Sequence, residues 1–501
     1  MEPWWKTAVI YQIYPRSFLD SDGDGIGDLG GIIAKLDYLQ WLGVDGIWLS
    51  PIFPSPMADF GYDVADYCDV DPVFGDLATF DTLLSQAHDR GLKVLLDWVP
   101  NHSSSAHPWF LDSISSASSE KRDYYLWRDP ATDGGPPNNW MSPWNGGSAW
   151  SLDEDSGQYY LHCFLPEQPD LNWSNPELRA QMAESLRFWL DRGVDGFRMD
   201  VIHLIGKDPD LPDDPPDLAA LSHVPLNDRP ETHHYLRELR AVLDGYPGQR
   251  MAVGEIYLLE PDRVFTYVND AELHLGFNFE LLSTAWRPES WAAALERNDN
   301  ELGAGWWPTM VLNNHDNPRL RTRAGGSEGR ARIAAAILLC ARGTPFLFAG
   351  EELGLLDGVV PADQAVDPGG RDGCRCPIPW ESGPGHGWAS ERPWLPFPPE
   401  ADERSAAAQR DDPGSMLAWY RCLLALRRSS AALRLGSLSI LEAPDGVIAF
   451  ERRYDDERVE IWANFSSAAV KLDLPGSLLA SSTAASDLGS IAAESVMIVS
   501  R

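Results

Sequence analysis

"RGVDGFRMDV", residues 192–201, is the stretch on which the fold turns. It follows "LRAQMAESLRFWL" (178–190), whose apolar residues recur at helical spacing. Gly193 then reads as the cap that ends the helix, and the apolar run after it reads as a strand buried on both faces, as in a parallel sheet. The same phrase returns as "LGVDGIWLS" (42–50), "RGLKVLLDWV" (90–99) and "RGTPFLFAG" (342–350). Four further runs, "AVIYQIYP", "MAVGEIY", "LHLGFNF" and "TMVLNNHD", bring the strands to the eight that a closed barrel needs. The expectation is an α/β protein of the (β/α)8 TIM-barrel type, with a doubly wound open sheet as the runner-up.

Loop lengths favour the barrel. Turns from helix into strand are short, whereas the segments leaving strands are long and rich in Pro, Gly, Asp and Trp at 101–172, 206–232 and 351–411. Long loops at the C-terminal ends of strands are where a barrel builds its active site. The first is long enough to fold by itself, so residues 102–172 are expected to form an inserted domain B after the third strand, splitting the barrel into 1–101 and 173–429. From about residue 430 the pattern alternates ("LSILEAP", "VIAFERRY", "RVEIWANF", "MIVS"), which predicts a C-terminal antiparallel β-sandwich domain over 430–501.

Composition narrows the partners. The 501-residue chain carries a formal charge of -35, which repels nucleic acid and anionic membrane and leaves a neutral or cationic partner. Its 21 Trp residues include candidates for stacking on sugar rings. No stretch reads as a signal peptide or a membrane span, and the six scattered cysteines fit reduced thiols in a cytoplasmic protein.

Chemistry gathers at the strand ends. Asp97, Asn101 and His102 close one strand, Arg198 and Asp200 another, Glu255 a third, and His315 with Asp316 a fourth. An apolar strand needs none of these groups, and paired carboxylates in different surroundings are what glycoside cleavage uses. Arg198 lies two residues before Asp200 and shares its face, which favours an ionised Asp200 suited to nucleophilic attack. Glu255 follows Gly254 with no cation beside it in sequence, so desolvation is expected to keep it protonated.

These motifs, "GIWLSPIF", "DWVPNH", "QPDLNW", "GFRMD", "GEIY", "NNHD" and "GTPFLFAGEELG", occur in the order found in the α-amylase family of retaining glycoside hydrolases, which the chain resembles from about Trp4 to its last domain. The resemblance is to the α-glucosidase and oligo-1,6-glucosidase branch. It implies Asp200 as nucleophile, Glu255 as general acid/base and Asp316 as transition-state stabiliser. It also implies Asp63, His102, Arg198 and His315 in the subsite for the non-reducing glucose, Tyr62 as its stacking platform, and Arg375 of "RDGCRCPIPW" as a residue that closes the pocket. The substrate implied is a short α-glucoside. Val201, after the nucleophile, resembles enzymes preferring α-1,6 bonds. A transglucosidase or a sucrose-acting enzyme on the same site is the alternative, and a non-catalytic relative is disfavoured because all three carboxylates are present.

"DSDGDGIGD" (20–28) spaces its acidic residues like the opening of an EF-hand, but Gly31 stands where the bidentate glutamate belongs. The resemblance implies a structural Ca2+ ion in this loop, held by Asp20, Asp22, Asp24, the Ile26 carbonyl and Asp28, with Asn101 outside the metal site.

Overall fold

The computed structural model describes residues 2–143, 146–215, 228–258, 261–300, 306–483 and 488–501. Eight short parallel strands form the barrel wall: β1 (Ile10–Ile13), β2 (Gly46–Leu49), β3 (Lys93–Trp98), β4 (Gly196–Met199), β5 (Met251–Gly254), β6 (Leu275–Gly276), β7 (Thr309–Val311) and β8 (Thr344–Phe348). Seven of the eight seams are hydrogen-bonded parallel ladders, in the order β7, β8, β1, β2, β3, β4, β5, β6. The eighth is closed by a side chain. The Thr309 hydroxyl donates to the Gly276 carbonyl at 2.9 Å and accepts the Asn278 N–H at 2.9 Å, so the ring is stitched between β6 and β7.

The helix-to-strand phrase forms as read. Asn175 caps the helix Pro176–Arg192 by accepting from the amides of Glu177 and Leu178, and Gly193 ends it with φ 107, which costs a glycine little. Inside the ring, Ile10, Trp48, Leu95, Val253, Leu275, Val311 and Phe346 form one apolar plug. Strand β4 departs from that pattern. Its residues beside Leu95 and Asp97 are Gly196 and Arg198. A Cβ at Gly196 would lie 2.4 Å from the Met251 carbonyl oxygen, so only glycine lets β4 approach β5 there. One turn of the ladder higher, Arg198 rests its guanidinium over the ring of Trp48, on top of the plug and at the floor of the cleft.

Within the inserted region, Trp127–Arg128, Gln158–Leu161 and Trp150–Asp153 make a three-stranded antiparallel sheet. It is tied to the barrel rim by bridges between His102 and Asp170 and between Tyr125 and Leu171. The chain ends in a five-stranded antiparallel sheet that begins at Ser437, after the short helix Ala431–Leu435. One face of that sheet joins the main core, and the other covers a small cluster with the two-stranded ribbon at 470–471 and 490–491. Among the described residues no helix is long and apolar enough to cross a membrane, and residues 216–227 of the long loop at 206–232 lie outside them.

Candidate active site

The strand-end residues converge in two clusters. In the first, Arg198 holds three carboxylates. Its Nη1 donates to Asp97 Oδ1 at 2.7 Å and to Asp200 Oδ1 at 2.5 Å, and its Nη2 lies 2.7 Å from Glu255 Oε2. Glu255 therefore has a cation beside it, contrary to the expectation from its flanks; the ladder brings Arg198 next to Val253, which sequence distance conceals. Asp97 also accepts from Tyr62 Oη at 3.0 Å and Trp48 Nε1 at 3.2 Å. Three buried carboxylates against one guanidinium cannot all ionise cheaply. Burial, with Glu255 and Asp97 adding repulsion that Arg198 opposes, pushes Asp200 well above the ordinary range, and burial pushes Asp97 up to about 7. The cluster thus keeps a proton near neutral pH, and Asp200 is less freely ionised than its neighbour in sequence suggests.

Val201 sits in the left-handed region at φ 33, and its N–H donates to Glu255 Oε2 at 3.0 Å. That conformation costs a β-branched residue roughly 1–3 kcal/mol, and here it aims an amide at the Glu255 carboxylate.

In the second cluster, Asp316 Oδ1 accepts from Arg371 Nη1 at 2.9 Å and Arg375 Nη2 at 3.2 Å. Both arginines also reach Asp367, at 2.7 and 3.1 Å, and Arg371 Nη2 meets Asp59 at 2.5 Å. Burial alone would raise Asp316, but its neighbours outweigh it and hold the carboxyl well below the usual range. Because burial pushes His315 down to about 3 and leaves it neutral, the two guanidinium groups are the cause we assign.

Neutral groups line the gap between the clusters. His315 meets Gln12 Nε2 at 2.8 Å and Tyr62 Oη at 2.6 Å, and its ring lies parallel to that of Tyr62. His102, pushed down to about 4 by burial, contacts Gln168 Nε2 at 3.1 Å. Gln168 also donates to Asp59 at 3.2 Å, which links the inserted region to the second cluster.

Of the residues singled out from sequence, the structure brings together Tyr62, His102, Arg198, Asp200, Glu255, His315, Asp316 and Arg375. Asp63 is placed differently. Its carboxylate accepts from Ser55 Oγ and from the amides of Ala58 and Asp59, so it braces its own loop, and Asp59 is the carboxylate that reaches Arg371. Asp59 and Arg371 went unread, although each stands four residues before a residue that was chosen, in "DFGYD" and "RDGCR". Lys207 was also missed. Its ammonium lies 2.7 Å from Asp170 and donates to Asn101 Oδ1 and the Leu204 carbonyl at 2.6 Å, locking the inserted region to the barrel. Asn101 Oδ1 is thereby engaged by a lysine.

In the acidic loop, ligand oxygens of Asp20, Asp22 and Asp28 lie within 4.8 Å of one another. Asp24 falls outside that group and accepts the Ile26 N–H at 2.7 Å. Asp28 also caps the helix Leu29–Ala34 through the Gly31 amide. Among the described residues no basic side chain pairs with Asp20, Asp22 or Asp28, so three hard oxygens face one another, a donor set that fits a divalent cation of the calcium class.

Residues 12–436 match the family described as alpha amylase, catalytic domain, and residues 438–489 match the maltogenic amylase C-terminal domain. A probable alpha-glucosidase of Rhizobium meliloti (strain 1021) is 42% identical over 504 residues, covering 94% of this chain and 91% of its own. The oligo-1,6-glucosidase of Parageobacillus thermoglucosidasius is 39% identical over 527 residues, covering 95% and 93%. The crystal structure of an alpha-glucosyl transfer enzyme, XgtA, superposes with a TM-score of 0.93 at 41% identity, covering 100% of both chains. Barrel, clustered carboxylates and relatives together define a glycoside hydrolase. The chain belongs to the α-amylase family, glycoside hydrolase family 13.

Proposed function

We propose that the protein is a retaining, exo-acting α-glucosidase that removes glucose from the non-reducing end of short α-glucosides of the isomaltose and maltose type. The observation that carries this is the pair of carboxylates, Asp200 and Glu255, held on the two terminal nitrogens of one guanidinium. Sharing one guanidinium keeps the two carboxylates near each other, and a short separation is what a retaining pair has. In this reading the Asp200 carboxylate attacks the anomeric carbon as Glu255 gives its proton to the departing oxygen. Glu255 then takes a proton from the water that breaks the glucosyl ester, which restores both groups. Asp316, held ionised by Arg371 and Arg375, faces the positive charge that develops at the anomeric carbon. Neutral His102 and His315 suit uncharged hydroxyls, and Asp59, paired with Arg371, takes the place in the non-reducing-glucose subsite expected of Asp63.

Transfer of the glucosyl group to an acceptor sugar is the second reading, favoured by the likeness to the alpha-glucosyl transfer enzyme. The acidic loop is proposed to hold one Ca2+ ion through Asp20, Asp22 and Asp28, with Asp24 and the Ile26 carbonyl nearby. Bound there, the ion supplies charge neutralisation that braces the loop. Six free thiols support action in a reducing compartment such as the cytoplasm.

A proton NMR time course on equimolar isomaltose and maltose tests the reading. The expected result is α-glucose as the first product, with isomaltose disappearing faster. β-Glucose appearing first would overturn retention, and no turnover of either sugar would overturn the glucosidase reading. An accumulating trisaccharide would select transfer.

A further inference from the structure

The turn that carries Asp59 and Tyr62 is held against its own backbone preference. Met57, Phe60 and Gly61 have φ of 67, 48 and 108. Glycine adopts such values freely, whereas a bulky residue at φ 48 is an outlier that its surroundings must enforce. From below, Asp63 fixes the amides of Ala58 and Asp59. Phe60 is held through its side chain instead. Its ring lies 5.3 Å from the ring of Trp394 and 5.2 Å from the guanidinium of Arg16, which is also 4.8 Å over Trp394.

Arg16 is the unusual member of this group. It is only 8% exposed, its Nε is buried without a hydrogen-bond partner, and among the described residues no carboxylate forms an ion pair with it. Taking a cation out of water is costly, and the faces of the Phe60 and Trp394 rings are the close contacts that offset it. Its backbone is anchored, since the Arg16 carbonyl accepts the Gly27 N–H at 2.8 Å, in the turn that follows β1. Trp394 is pinned to the same turn through Nε1 to Ser17 Oγ at 3.2 Å, and its N–H donates to the Gly25 carbonyl at 2.9 Å. The clamp is therefore fixed to the barrel rim, and the Phe60 turn is pressed against it.

We propose that Arg16 and Trp394 are positioning residues for the glucoside pocket: by gripping the Phe60 ring they hold the Asp59–Tyr62 turn in the left-handed conformation that sets Asp59 on Arg371 and Tyr62 on His315. Neither needs to touch substrate. Relaxation of the turn withdraws Asp59 from Arg371, which loosens ground-state binding more than it slows bond cleavage at Asp200. The inference rests on reading the pocket as a glucoside site.

A double-mutant cycle tests it, with Arg16→Gln and Phe60→Asn assayed on 4-nitrophenyl α-glucoside. Asparagine accepts the left-handed conformation readily, so a turn carrying it does not need the clamp. Arg16→Gln is expected to raise KM about tenfold with kcat changed less than about threefold. Phe60→Asn should stay within about threefold of the parent in KM, and adding Arg16→Gln to it should change nothing further. Trp394→Leu, taken through the same cycle, should repeat the pattern and serves if the Arg16 variant does not fold. An unchanged KM in Arg16→Gln, or an equal penalty on both backgrounds, overturns the clamp. So does a Phe60→Asn enzyme as impaired as Arg16→Gln, because the ring itself would then contact substrate. An unmodified enzyme inactive on every α-glucoside would overturn the function; normal activity with a flat cycle overturns only the clamp.

Discussion

The two halves of the site use the same residue types in different proportions. Around Arg198 stand three carboxylates, Asp97, Asp200 and Glu255; around Arg371 and Arg375 stand three others, Asp59, Asp316 and Asp367. Burial raises Asp59, Asp97 and Asp200, each of which pairs with a single guanidinium, whereas Asp316 and Asp367, each of which meets both Arg371 and Arg375, are lowered against it. The number of fixed cations that each carboxylate meets, set against its burial, separates them. One guanidinium for three carboxylates keeps a proton in place for transfer, and two for three leave Asp316 with a permanent charge. In the proposed mechanism, acid–base chemistry and charge stabilisation are thus divided between the two halves by one extra arginine.

The largest effect is expected from the first half. Asp200→Asn should lower kcat on the order of 10^4-fold or more, as loss of a covalent nucleophile does. Folding should survive, because the change leaves fewer buried charges competing for Arg198, and a thermal midpoint no lower than that of the parent would show it. Substantial remaining activity would remove Asp200 from its role and the proton-keeping half from its function.

Arg371→Gln would leave the second half with one guanidinium, Arg375, which reaches Asp316 and Asp367, while Asp59 loses its only one. The expected loss in kcat/KM is about 10^2–10^3-fold, the scale of losing one preorganised electrostatic partner. Its signature is the pH profile. Asp316 should then ionise at higher pH than in the parent, so the acidic limb of the variant's profile should move up while the alkaline limb set by the first cluster stays in place. A uniform loss at every pH would mean that Arg371 binds substrate without tuning Asp316.

A smaller and more diagnostic effect concerns the retained proton. Burial holds Asp97 up to about 7, so kcat/KM of the parent should fall on the alkaline side near that pH, where the first cluster loses its proton. Asp97→Asn removes one of the repelling charges and should move that limb to lower pH. Stability follows the same sign: the folded value lies above the unfolded one, so this group stabilises fully below about pH 4 and the contribution is lost as pH rises through 7. His102 and His315 work in the opposite direction, since their lowered values cost stability as pH falls below about 6.5.

Much of this was legible in the sequence because it is periodic. A strand buried on both faces is a continuous apolar run, so "RGVDGFRMDV" and its seven counterparts could be counted, and a charged residue at the end of such a run stands out. What sequence could not show is pairing across the barrel. Asp59 and Asp63 lie in one short motif, and only the turn through Phe60 decides which carboxylate faces Arg371 and which is spent on amides. Arg198 was seen beside Asp200, but its second nitrogen reaches Glu255 through the β4–β5 ladder. Lys207, in a loop with no periodicity, becomes meaningful only where it meets Asp170 and Asn101.

The acidic loop extends the comparison to its limit, with three carboxylates and no fixed cation. Burial, and then crowding by Asp22, Asp20 and Asp28, pushes the neighbouring Asp24 upward, a sign of repulsion that the chain does not relieve by itself. Where Asp170 is neutralised by Lys207 the cation is covalently present and cannot be removed; in the loop, the proposed cation comes from solution. Excess chelator should therefore lower the thermal midpoint. Metal at about one hundred times its Kd contributes about 2.7 kcal/mol, which in a chain of this size is a shift of only a few degrees. Ca2+ should restore the midpoint better than Mg2+, because the loop offers several oxygens and little octahedral order. Activity at 25 °C should be nearly unchanged, since none of the three aspartates reaches either catalytic cluster. Asp22→Asn, which removes the most exposed of them, should reduce the calcium-dependent part of the shift. A midpoint indifferent to chelator, with no metal in the purified protein, would mean that the amide hydrogen bonds to Asp20 and Asp28 suffice and that cation count governs only the buried clusters.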